Sequence, residues 1–123
     1  LRQLIKKGTF IMDELVERLS QGDHPVIAGR AKSAEELKQS IDRGYVLIKF
    51  TNTRGGTELG MRLENDLTDL SKADFGQATG TVHLAGKLTL NYVPVRFIAD
   101  IDLATREGTG HLEILESAPT SGS

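Results

Sequence analysis

The chain has no cysteine and no tryptophan, only three prolines, and just two tyrosines and four phenylalanines in 123 residues. Without cysteine, disulfides, thiolate nucleophiles and cysteine-based metal sites are excluded. The longest apolar run is Tyr45-Val46-Leu47-Ile48, far short of the roughly 18 residues a membrane span requires. Neither sign of charge dominates: 15 Lys+Arg stand against 17 Asp+Glu, for a net charge of −2. A general nucleic-acid binder would carry a basic stripe with interleaved aromatics, so nucleic acid is an unexpected partner. No Gly-x-Ser-x-Gly elbow, phosphate loop or His-x-x-x-His spacing occurs, so no catalytic residue, metal or cofactor is expected.

What is present suits a globular α+β domain, with 38% hydrophobic and 26% charged residues. The expected domain covers residues 1–116, helical over 1–44 and a β-meander over 45–116. The polar stretch 117–123 is expected to form a flexible tail. The first residues lack the continuous apolar core of a signal peptide, and the cytoplasm is the expected compartment.

Leu4, Gly8, Ile11, Leu15 and Leu19 recur at helical spacing, which predicts a helix over 10–21 capped by Thr9. Ser33-Ala34-Glu35-Glu36 is a capping box, and Gly44 supplies a left-handed stop, predicting a second helix between them. From Tyr45 the period changes to two. Val46–Phe50 and Leu59–Leu63 flank Thr53-Arg54-Gly55-Gly56 as a hairpin. Strands follow on Val82–Tyr92, Val95–Leu103 and Leu112–Ile114, with turns expected at Val93-Pro94 and Glu107-Gly108. The resulting fold class is α+β: N-terminal helices packed on a curved antiparallel meander of about five strands, curling toward a half-barrel with bends at Gly80 and Gly86.

Two functional readings follow. The first is a cofactor-free protein-interaction or accessory module that binds a protein partner or forms a homo-oligomer. It rests on Leu1, Leu4 and Ile5, apolar residues beyond what the sheet can cover, and on strand edges at Val46–Phe50 and Leu112–Leu115. The second is a small-molecule binder or small enzyme with a pocket between the helix and the concave sheet. There Met61, Tyr92 and Phe97 would line an apolar cavity, and His83, Arg96, Asp100 and Asp102 would supply polar groups if curvature turned them inward. The plainer account of those four is the solvated face of amphipathic strands. Glu64, Asp66, Asp69 and Asp74 crowd one loop, but their spacing is not that of a calcium loop.

Overall fold

A computed structural model describes residues 13–115. The expected role of Leu1, Leu4 and Ile5 and the expected tail at 117–123 lie outside the described residues. In chain order the elements are α1 (Glu14–Leu19), β1 (His24–Ile27), α2 (Ala34–Arg43), β2 (Tyr45–Phe50), β3 (Thr57–Leu63), β4 (Ala73–Asp74), β5 (Thr79–Leu90), β6 (Val93–Asp102) and β7 (Glu107–Ile114).

The sheet order is β3-β2-β1-β7-β6-β5-β4, and β3 also pairs with β5. That last pairing, Arg62 with Lys87 and Leu63 with Gly86, closes six strands into an antiparallel barrel. The expected meander is therefore present, but closed rather than half-open. A Cβ on Gly86 would lie 2.7 Å from Arg62 O and 2.9 Å from the Met61 Cβ, so glycine is what lets β3 approach at the seam.

The sixth strand is β1. Its four residues pair with β7 from His24↔Gly110 to Ile27↔Glu107, and with β2 at Val26↔Phe50 and Ile27↔Lys49. No strand was expected there, because four residues containing Pro25 show too little alternation. It also places β2 and β7 inside the sheet order, so the edges expected at Val46–Phe50 and Leu112–Leu115 are partly paired.

Inward side chains alternate along β2 and β6. Val46, Ile48 and Phe50 of β2, Val82 and Leu84 of β5, and Val95, Phe97, Ala99 and Ile101 of β6 form one buried cluster. The two helices cover the barrel ends. α1 reaches from the β5–β6 tip, where Asn91 Nδ2 donates to Asp13 Oδ2 at 3.1 Å, to the β2–β3 loop, where Arg18 Nη2 donates to Asn52 O at 3.2 Å. It buries Val16 and Leu19. At the opposite end α2 buries Ala34, Leu37 and Ile41.

Within the described part of the expected 10–21 helix, α1 runs only over Glu14–Leu19. Asp13 is extended at φ −62°, ψ 132°, and its carboxylate accepts from Leu15 N and Val16 N, so Asp13 caps this helix, while the cap expected at Thr9 lies outside the described residues. The second helix matches the prediction: Ser33 Oγ accepts from Glu36 N at 3.2 Å, and Gly44 sits at φ 80°. Glu36 reaches one residue further than a capping box requires, accepting from Lys32 N at 2.8 Å. Two turns also move. Asn91 and Tyr92, at φ 50° and 71°, form a two-residue type I′ turn between Leu90 and Val93. Pro94 follows inside β6, its carbonyl turned toward β7, where it accepts from Leu115 N. The β6–β7 turn precedes Glu107 and is held by Asp102 Oδ1, which accepts from Ala104 N at 2.8 Å.

The segment between β3 and β5 runs along the free side of β5. Glu64 N donates to Ala85 O, and Asp69 and His83 exchange both backbone hydrogen bonds. Leu70 and Phe75 pack against the core, while Leu67 is exposed.

Candidate functional site

Of the seven residues of the expected pocket, only His83 and Asp100 are brought together. Met61 and Phe97 are fully buried in the packed interior, where Phe97 stacks on Phe50 at 4.8 Å and 7° between ring planes. His83, Arg96, Asp100 and Asp102 occupy the outer face, because they alternate with inward-facing neighbours on β5 and β6. Tyr92 stands at the tip of the β5–β6 turn, 98% exposed. The barrel's curvature keeps the polar groups out, so the expected pocket beneath the sheet is filled by side chains instead.

On the outer face the polar residues sort into three groups. His83 Nδ1 and Asp100 Oδ1 lie 2.7 Å apart. Together with Asp69, Lys72 and Thr81 they border a depression of about 400 Å³. The carboxylate of Asp100 orients the ring, and among the described residues no hydrogen bond engages Nε2. No cysteine or serine lines it, and among the described residues no group of three or more His, Asp or Glu is placed to hold a metal ion.

The second group is a clamp on Arg96. Its Nε donates to Glu64 Oε1 at 2.7 Å, its Nη2 to Glu64 Oε2 at 3.2 Å, and its Nη1 to Glu113 Oε1 at 3.4 Å. Lys87 Nζ stands 3.6 Å from Glu64. The Arg96 guanidinium holds the Glu64 carboxyl below its ordinary range, and Glu64 in turn raises Arg96. Glu64 belongs to the acidic stretch read in the sequence as a connection, and nothing in its spacing betrays the partner 32 residues away. Asp69, in the same stretch, is lowered by its hydrogen bonds from Ser71.

The third group is the hairpin tip. Asn91 occupies the first left-handed position, and its amide hydrogen bond is the main reason Asp13 titrates below its ordinary value. The second position, where glycine is the relaxed choice, holds Tyr92. Below the tip lie Leu15, Leu88, Leu90 and Val93, partly buried, and Ile114, 41% exposed. The tip thus combines an aromatic side chain that packs on almost nothing with a rim of half-covered aliphatics. Asn91 was missed because its partner, Asp13, lies 78 residues away in sequence.

His24, given no role from sequence, ties the end of α1 to the β2–β3 loop. Its Nε2 meets Arg18 O and Gln21 O at 3.0 and 2.9 Å, and its Nδ1 meets Asn52 Nδ2 at 3.0 Å. These contacts require the proton on Nε2, and they make the residue structural.

The model of a family described as core binding factor beta subunit matches residues 5–122 of this chain. No curated protein matches it.

Proposed function

The chain belongs to the core binding factor beta subunit family, and on that premise we propose that it works as a binding subunit, engaging a second protein chain through the tip of the β5–β6 hairpin. A beta subunit acts in assembly with another polypeptide, so the protein-interaction role expected from the sequence holds in its general form. Tyr92 carries the choice of surface. A bulky residue at φ 71° is strained, and at 98% exposure it gains no packing from the described residues in return. Tyrosine is also among the side chains that most often anchor interfaces, burying a large rigid area at small entropic cost. Asp13 and Asn91 fix the tip against α1, so the anchor is presented on a rigid base.

The test is site-specific photo-crosslinking in the source cells, with a benzophenone amino acid at position 92 and a control at Ala104, at the other end of the barrel. A discrete adduct to one other polypeptide from position 92, absent from 104, is the expected result. No adduct would overturn the proposal. Adducts only between two copies would replace it with self-association, the form first expected from the apolar N-terminal residues.

A further inference from the structure

β1 is too short to cover β2. Gly44 O accepts from Leu63 N, and Thr51 N donates to Pro25 O. These two bonds set the alternation along β2: Val46, Ile48 and Phe50 turn their backbone groups to β3, and Tyr45, Leu47 and Lys49 turn theirs to β1. Pairing with β1 ends at Ile27↔Lys49. The N–H and C=O groups of Tyr45 and Leu47 therefore run past the end of β1, and among the described residues no backbone partner meets them.

Beside this edge lies a groove of about 90 Å³ between β2 and α2, room for about three waters or one small side chain. Its floor is apolar, with Ala31, Leu37 and Val46 all buried, and its rim carries Arg30, Ser40 and Arg43. The surroundings are basic. Arg62 is the cross-strand neighbour of Tyr45. Arg43 contacts only Ser40 Oγ, at 3.3 Å, among the described polar partners. Glu58 answers Arg30 alone, at 3.1 Å. In a chain of net charge −2, three arginines around one open edge are a local excess.

We propose that this edge takes up an extended acidic segment of a partner protein as an added strand. The segment's backbone would pair with Tyr45 and Leu47, one small apolar side chain would enter the groove, and carboxylates on either side would meet Arg30 and Arg43. A second copy of this chain is a poor occupant, since pairing β2 with β2 sets the arginines of one copy against those of the other. The edge lies at the end of the barrel away from the hairpin tip, so either surface can fail without the other.

The experiment is amide exchange and chemical-shift mapping on the full labelled chain, with an acidic strand-forming heptapeptide, acetyl-EDVTVDE-amide, as probe. Slowed exchange at Tyr45 and Leu47, with shifts at Ala31 and Leu37, is expected. Arg43→Glu should weaken binding at least about tenfold, since a charge-assisted hydrogen bond is replaced by repulsion. Leu47→Pro should abolish it by removing the donor, and the wild-type exchange data decide the matter if that variant fails to fold. Absence of protection at about 1 mM peptide, or protection confined to Asn91–Val93, overturns the proposal. So does a single-stranded oligonucleotide that protects the same amides more strongly than the peptide.

Discussion

At the scale of single residues, two side chains make opposite predictions. Glu64 is mostly covered, with 17% of its side chain exposed, and it holds Arg96 through two hydrogen bonds. Its carboxyl titrates lower in the folded chain than in the unfolded one. The stability it confers is thus complete above the ordinary glutamate range near pH 4 and is lost as pH falls through the depressed folded value. Glu64→Gln should cost about 1 kcal/mol at neutral pH and flatten the acid limb of the stability curve, as read from urea unfolding between pH 2 and 7. Tyr92→Gly should do the reverse. Glycine relaxes the left-handed position, so the isolated chain should unfold at equal or higher denaturant, with a gain of up to about 1 kcal/mol, while partner binding falls. A variant that is more stable and still binds would remove Tyr92 as the anchor.

At the scale of elements, glycine governs the seam. Gly86→Ala should cost about 2 kcal/mol in denaturant unfolding, because the new methyl meets Arg62 O and Met61 where β3 closes on β5. Ser33→Ala should cost about 1 kcal/mol by orphaning Glu36 N. These elements also show what the sequence makes legible. The α2 caps, the β2–β3 hairpin and the long strands β5 and β6 announce themselves, since cap chemistry and alternation are local signals. β1 does not, because its strand character comes from β2 and β7 on its flanks and not from its own four residues. The same division explains the site. Placing His83, Arg96, Asp100 and Asp102 on one polar side follows from parity. Turning that side outward depends on closure, which no single strand encodes. Tyr92 read as a strand residue of the apolar set, yet Asn91 and Tyr92 make the turn, a use of tyrosine that turn statistics do not suggest.

At the scale of the whole molecule, closure predicts how the fold opens. The six barrel strands share one core and should exchange their amide hydrogens as one unit near the global unfolding energy. Segment 66–78 is tied to β5 by a few backbone bonds and the two-residue β4, and should exchange earlier, which residue-resolved hydrogen exchange would show. Equal protection in both would mean that the segment belongs to the cooperative unit. The placement of β1 also bears on how the protein is made. Of the described strands it leaves the ribosome first, yet one of its two neighbours, β7, leaves last. Until Glu107–Gly110 emerge, no nascent chain can complete the ring, and the inward faces of five finished strands wait with an open side. Such an open intermediate is aggregation-prone, so truncations within β7 should appear as chaperone-bound or degraded chains rather than as weakened folded ones.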